Sequence, residues 1–169
     1  MLNHEIPDGF VVAGFDPPAS QNLGFSALIV EDGVARMVEY GVHPLPAGGS
    51  QRLLSIQSFL VDFLDRWDIK VFCMERSIGF GNAPTREMIS ENTGVIKLVG
   101  ASYGCELAAV HTSTMGKVFT GFGGSKSKDG KSKKTRTKQM ARDLFFPGMS
   151  FKAIASDDEG KELFEHLAD

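Results

Sequence analysis

Apolar residues cluster along this chain in short runs that are separated by polar residues and by turn-forming glycine and proline. Such short apolar runs are typical of buried strands. They cover residues 10–16, 24–30, 34–42, 69–74 and 106–111. The Asp32-Gly33 pair between the second and third runs predicts a tight hairpin turn.

Other segments have apolar residues at helical spacing. One covers residues 51–67, and Ser50 just before it is predicted to cap that helix. Further helices are predicted over 85–103 and 135–145, and a last one from Asp157 or Asp158 to the end. The resulting order, β-β-β-α-β-α-β-α-α, predicts an α/β fold with a five-stranded mixed sheet flanked by helices.

Length and composition indicate a soluble globular protein. The 169 residues fit a single domain, 1–169, and 42% hydrophobic with 23% charged residues is ordinary for this class. No apolar stretch reaches membrane-spanning length, and residues 1–10 carry acids where a signal sequence would be basic and apolar. We therefore expect a cytoplasmic protein with no membrane contact, whose Cys73 and Cys105 are reduced.

The net charge of −3 hides a strong asymmetry along the chain. Between Lys117 and Arg142 there are nine Lys or Arg and one acid, while the rest has nine bases and twenty acids. An acidic body with one basic strip indicates that a polyanion is bound at a defined place.

Carboxylates end two of the predicted strands, since Asp16 closes the first run and Glu75 follows the fourth. Strands in such sheets present ligands at their carboxyl ends, so the two side chains converge if their strands are neighbours. Several oxygen ligands at one point repel one another unless a cation such as Mg²⁺ lies between them. This layout predicts a metal-dependent phosphoryl-transfer site.

The last predicted helix adds a polar face. Glu162, Glu165, His166 and Asp169 are spaced so that they share one side of it. Each acidic feature also has an ordinary structural explanation. The helix face could simply be solvated, Asp16 could be the polar end of a strand, and Glu75 could pair with Arg76 or Lys70.

Four short motifs resemble those of the RuvC family of Holliday junction resolvases. Residues 14–18 followed by 23–26 are similar to the family's first motif, an apolar residue, Asp, Pro, a short loop and then Gly-aromatic-small. Residues 74–76 resemble its second acidic motif, 120–123 its Thr-Gly-x-Gly turn, and 166–169 its closing His/Asp-x-Ala-Asp. The motifs follow one another in order over nearly the whole chain.

The resemblance implies an RNase H-like fold and a crossover junction endodeoxyribonuclease of a bacterial or phage-infected cytoplasm. It implies that Asp16, Glu75, His166 and Asp169 hold two Mg²⁺ or Mn²⁺ ions for phosphodiester hydrolysis. Glu162 and Asp158 are reserve ligands. The chain departs from the family pattern because it stops at Asp169 and because its basic loop is longer.

The resemblance also implies that Lys117 and Lys134 lie near the scissile phosphate, and Lys117 is the better candidate for a catalytic role. The basic loop, about 121–134, is predicted to be mobile. Phosphate contacts are expected from its bases and the neighbouring ones, unless the segment is only disordered and solvated. These bases are Lys126, Lys128, Lys131, Lys133, Lys134, Arg136 and Lys138.

Two apolar residues after Glu75, Ile78 and Phe80, are candidates for wedging between base pairs, although Phe80 could instead fold onto the core. The expected partners are branched DNA, above all a four-way junction, and a second copy of the chain. The homodimer contact would use the second helix through Met88, Ile89, Val95, Ile96 and Val99.

Three alternatives remain. One is another RNase H-like nuclease, for flaps or RNA. The second is an actin-like ATPase. Two features argue against it: the chain is short for a two-lobed ATPase, and Pro17 and Pro18 lack the backbone N–H groups that would bind a phosphate. The third is a non-catalytic DNA-binding module.

Overall fold

The computed structural model describes residues 7–17, 21–76, 82–111, 114, 117 and 139–144. The chain divides into two compact units, Met1–Ala109 and Val110–Asp169. The sheet and its two long helices belong to the first unit, apart from the last residue of the fifth strand.

A five-stranded mixed sheet forms the centre of the first unit, in the order β3-β2-β1-β4-β5. β1 pairs antiparallel with β2 and parallel with β4, and β2 pairs antiparallel with β3. The elements are β1 Phe10–Asp16, β2 Asn22–Glu31, β3 Val34–Pro44, α1 Gly49–Arg66, β4 Ile69–Glu75, α2 Ala83–Ser102 and β5 Glu106–Val110. The predicted α/β class and five-stranded mixed sheet are confirmed.

The predicted hairpin between β2 and β3 is confirmed. Asp32 and Gly33 both have positive φ angles, 52° and 71°. A two-residue turn with both central residues in this region matches the right-handed twist of the strands. The Asp32 backbone N–H also donates to Asp8 Oδ1 over 2.9 Å, which holds the chain before β1 against the turn.

The start of α1 differs from the prediction. The helix begins at Gly49, its N-cap residue is Gly48, and no side chain caps it, so the assignment of Ser50 as the cap is wrong. The chain turns at Gly49, whose φ of 65° favours glycine, and Ser50 therefore lies inside the first turn. α2 does have a side-chain cap, since Asn82 Oδ1 accepts from the Thr85 N–H over 3.0 Å.

Aromatic rings fill the space between α1 and one face of the sheet. Phe15 of β1 lies 4.7 Å from Phe72 of β4 and 5.9 Å from Phe63 of α1, between ring centroids. Phe25 of β2 lies 4.7 Å from Phe59 on the same helix. Edge-on and tilted contacts of this kind add stability beyond the area that they bury. This cluster fixes which face of each strand is internal.

A buried arginine links the two helices. Arg52 is only 2% exposed, and its Nε donates to Asn92 Oδ1 of α2 over 3.3 Å. Its Nη1 also donates to the Pro46 carbonyl oxygen over 3.3 Å. Burial lowers the pKa of Arg52, but a guanidinium stays protonated at neutral pH. The periodicity of 51–67 predicted only apolar residues on this face.

The edge strand β3 is attached to the end of α1 through Glu39. Its carboxylate accepts from Arg66 Nη2 over 2.7 Å and from the Trp67 indole N–H. Burial tends to raise the pKa of Glu39, but the hydrogen bonds from Arg66 and Trp67 outweigh it, so the pKa is lowered. Glu39 therefore points to the α1 side of the sheet.

The second unit is described at a few positions only. Thr114 and Lys117 are helical, and the Thr114 N–H donates to the His111 carbonyl oxygen over 2.8 Å. Residues 139–144 are helical, which confirms that part of the predicted helix 135–145. The basic loop 121–134 and the predicted last helix lie outside the described residues.

Both cysteines carry free thiols, with Cys73 half-buried and Cys105 buried. The Cys105 thiol donates to the Ile69 carbonyl oxygen over 3.3 Å. Within the part of the chain that the structure describes, no helix is both long and apolar enough to cross a membrane.

Candidate metal-binding site

Two predicted ligands, Asp16 and Glu75, end neighbouring parallel strands. The last registered pair of β1 and β4 is Phe15 with Met74, and Asp16 and Glu75 are the next residue on each strand. Paired strands lie roughly 4.8 Å apart, so the two backbones are adjacent at this point. The structure therefore brings these two residues together, as the sequence predicted.

The two carboxylates lie on the sheet face away from α1. Phe15 and Met74 are 4% and 3% exposed and belong to the core between the sheet and the helices. Successive side chains of a strand point to opposite faces, so Asp16 and Glu75 point away from that core. Both are half-buried. We call this side of the sheet the acidic face.

Small residues surround Asp16 on the acidic face. Gly24 of β2 is its direct partner and contributes no side chain. Gly14, two residues before Asp16, pairs with Ser26 on one side and with Cys73 on the other. A Cβ atom at Gly14 would lie 2.9 Å from Ser26 Oγ, so the serine hydroxyl already fills that space.

The two described carboxylates, Asp16 and Glu75, are suitable ligands for a hard divalent cation. Two adjacent carboxylates supply oxygen ligands, which Mg²⁺ and Mn²⁺ favour. Within the described residues no group of three or more His, Cys, Asp or Glu side chains is gathered at one point. The other predicted ligands, His166 and Asp169, lie outside the described residues, as do the reserve ligands Asp158 and Glu162.

Of the two alternative ion-pair partners for Glu75, Arg76 and Lys70, the second is wrong. Lys70, a suggested partner for it, pairs instead with Asp68 over 2.6 Å. Lys70 lies near the start of β4, whereas Glu75 lies at its end.

The predicted DNA-binding residues are described only at Lys117, which is helical within the second unit. Ile78, Phe80 and the basic residues from Lys126 to Lys138 lie outside the described residues. Their roles remain predictions.

The predicted dimer surface on α2 needs a correction. Ile96 and Val99 are 0% and 5% exposed and belong to the core, and Val95 packs against it. Ile96 and Val99 are therefore internal and not available for an interface, whereas Met88, Ile89 and Val95 are half-buried. Leu98 is the exposed apolar residue of that stretch, at 71%.

Comparison with solved structures identifies the fold. RuvC of Thermus thermophilus matches with a TM-score of 0.71 and 16% identity, over 94% of this chain and 92% of that one. The chain has the RuvC fold. The same protein in complex with a Holliday junction substrate matches with a TM-score of 0.71 and 17% identity, over 95% of this chain and 87% of that one.

Two more distant resolvases share this fold. The yeast mitochondrial Holliday junction resolvase Ydc2 matches with a TM-score of 0.61 and 12% identity, over 98% of this chain and 76% of that one. The fowlpox virus resolvase, bound to Holliday junction DNA, matches with a TM-score of 0.55 and 9% identity, over 94% and 91%. No family model and no curated protein sequence matches the chain. The predicted RNase H-like architecture is thus confirmed through the RuvC fold.

Proposed function

We propose that this protein is a metal-dependent endonuclease that hydrolyses phosphodiester bonds in branched DNA, with four-way junctions as its substrate. The observation that carries the proposal is the placement of Asp16 and Glu75 on adjacent parallel strands of a RuvC fold. Carboxylates at the carboxyl ends of neighbouring strands are positioned to bind a ligand at that edge of the sheet.

The substrate class is inferred from the structural neighbours. Two of them are described in complex with a Holliday junction, and their match covers nearly all of this chain. A match over the whole length supports the transfer of an activity better than a match to one part, although a fold by itself does not define a function. The strip of nine bases between Lys117 and Arg142 adds a physical reason for DNA as the substrate.

Asp16 and Glu75 would hold the metal, and His166 and Asp169 are proposed to complete its ligands. A divalent cation there would supply the activation of water for attack on the phosphodiester and the neutralisation of the leaving oxygen. The protein contributes the fixed spacing of the two carboxylates, which the strand pairing sets. Gly24, the direct partner of Asp16, adds no side chain beside it. Lys117 is proposed to neutralise charge near the scissile phosphate, and the protein is proposed to act as a homodimer.

The test removes charge from each carboxylate separately. Asp16→Asn and Glu75→Gln should abolish cleavage of a labelled four-way junction while junction binding changes little, because an amide is a much poorer ligand for Mg²⁺. Asp68→Asn is the matched control, since that aspartate is exposed and lies before the start of β4. Mn²⁺ affinity, measured by calorimetry without DNA, should fall in the two site variants and stay unchanged in the control.

The substrate is tested with the wild-type protein in Mg²⁺, Mn²⁺ or EDTA. Paired, symmetrical nicks in a four-way junction, with linear duplex left intact, would support the proposal. Preferential cutting of flaps or of RNA would identify a different nuclease of the same fold. Tight binding without cleavage would indicate a DNA-binding module, and nucleotide hydrolysis would indicate an ATPase. Full activity in Asp16→Asn or Glu75→Gln would remove that residue from the metal site.

A further inference from the structure

Tyr40 and Ser26 lie on the same face of the sheet as the candidate metal site, one row away from it. Ser26 of β2 pairs with Gly14 of β1 on one side and with Tyr40 of β3 on the other. Directly opposed residues of an antiparallel pair share a face of the sheet. Tyr40 and Ser26 therefore lie on the acidic face, in the row next to the one that holds Gly24 and Asp16.

A register shift in the sheet decides which residue of β3 takes this position. Ala27 pairs with Glu39 but Leu28 pairs with Met37, so Val38 is an extra residue opposite this step. Without the shift, the pairing that starts at the hairpin would place Glu39 opposite Ser26. The bulge turns Glu39 to the α1 side, where it binds Arg66, and brings Tyr40 to the acidic face.

The two side chains carry neutral hydroxyl groups. Tyr40 is 37% exposed and Ser26 is half-buried. Ser26 Oγ lies over the glycine that precedes Asp16 by two residues, because glycine leaves that space empty. Tyr40 stands two strands, or roughly 10 Å, from β1. Both residues lie on the β3 side of Asp16, one row away from it, so a DNA strand that approached the metal site from that side would pass beside them.

We propose that Ser26 and Tyr40 bind the sugar–phosphate backbone of the cleaved strand on the β3 side of the scissile bond. Both would donate their hydroxyl hydrogens to phosphate oxygens, as Ser and Tyr commonly do in protein–DNA interfaces. Gly24, the direct partner of Asp16, places no side chain between these hydroxyls and that carboxylate. This inference rests on the proposed nuclease function. It assigns a DNA-binding role to Ser26, the last residue of the first motif, and to Tyr40, which lies in no motif.

The test uses conservative variants with matched controls. Tyr40→Phe and Ser26→Ala each remove one hydroxyl and keep the rest of the side chain. Tyr103, which is the other tyrosine and is 48% exposed after α2, gives the control Tyr103→Phe. Ser58, exposed on α1, gives the control Ser58→Ala. Thermal unfolding of all four variants identifies any that are misfolded, and Tyr40→Phe serves alone if Ser26→Ala does not fold.

Each hydroxyl variant should raise the Kd for four-way junction DNA roughly three- to tenfold, the range expected for one lost hydrogen bond. The two controls should match the wild type. The slope of log Kd against log salt should stay the same, because a neutral hydroxyl releases no counterions. The cleavage rate at saturating enzyme should also stay nearly constant, because these contacts are made before and during the reaction alike.

Methylphosphonate linkages, placed one at a time beside the cut, locate the contact. At one position the methylphosphonate should weaken DNA binding by the wild-type protein. The same linkage should not weaken DNA binding by Tyr40→Phe or Ser26→Ala any further. Wild-type affinity in both hydroxyl variants would overturn the inference and leave the nuclease proposal intact, since that proposal depends on Asp16 and Glu75. A changed salt slope, or an equal loss in Tyr103→Phe, would also overturn it.

Discussion

α2 approaches the sheet closely at Gly100, and adding a methyl group there should destabilise the protein. A Cβ atom at this position would lie 2.6 Å from Phe72 Cδ2 and 3.1 Å from Leu107 Cδ2. Phe72 is fully buried, and its ring packs on Phe15 at 4.7 Å, so it has little freedom to move. Gly100→Ala should therefore force a displacement within the core.

The same helix provides the matched control. Gly94 also lies in the interior of α2, and a Cβ atom there would meet nothing within 4 Å. Replacing a helical glycine with alanine stabilises by up to about 1 kcal/mol through backbone preference alone. Overpacking a filled core costs about 1–3 kcal/mol. Gly94→Ala should thus stabilise the protein, and Gly100→Ala should have a free energy of unfolding about 1–3 kcal/mol lower than Gly94→Ala.

The assay is urea unfolding of the wild type and both variants, with the free energy of unfolding obtained by linear extrapolation. The comparison is valid if the dependence on denaturant is the same for all three proteins. Equal stabilisation by the two substitutions would refute the reasoning, because it would mean that Phe72 can move away without cost. β4 carries both Phe72 and Glu75, so junction cleavage by Gly100→Ala should be measured as well.

Two further predictions concern pH and salt. Burial lowers the pKa of His43 below its ordinary 6.5, and the ring shares a hydrogen bond of 3.0 Å with Ser55 Oγ. The free energy of unfolding should therefore fall as the pH drops from 6.5 through the folded-state pKa of His43. His43→Gln should flatten this part of the curve of stability against pH, and an unchanged curve would contradict the assignment. Replacing Lys131, Lys133 and Lys134 with alanine should reduce the salt slope of junction binding by roughly 0.9 for each lysine that contacts a phosphate. Lys97 is exposed on α2, and Lys97→Ala is the control. A salt slope in the triple variant equal to that of the wild type would mean that the basic loop does not contact the DNA.

The sheet could be predicted from the sequence because each of its strands and the turn between β2 and β3 are specified by residues close together in the chain. Each strand is a short apolar run, and the Asp32-Gly33 turn fixes how β2 and β3 meet. The adjacency of Asp16 and Glu75 followed from the same pattern, since both acids end buried runs that are compatible with one parallel pair. A buried strand that stops at a carboxylate is therefore a usable signal for a site at the edge of a sheet.

Long-range packing could not be predicted in this way. Arg52 is buried because Asn92 and the Pro46 carbonyl oxygen meet it there, and nothing in the helical periodicity marks such partners. Gly41 is similarly required by a residue of β2, because a Cβ atom at this position would lie 2.9 Å from the Phe25 ring. These features depend on residues that lie far apart in the chain, so only the assembled fold makes them visible.

The bulge in β3 shows how one residue can determine the chemistry of a whole sheet face. Without it, the carboxylate of Glu39 would lie on the acidic face and would add to the negative charge of Asp16 and Glu75. A third carboxylate beside the path of the DNA would repel phosphate, and it would leave Arg66 without the Glu39 bond. A lysine there would attract phosphate, but it would also pair with the carboxylates and compete with a metal for them. Neutral hydroxyls avoid both conflicts, which is why we place the contact of the cleaved strand at Ser26 and Tyr40.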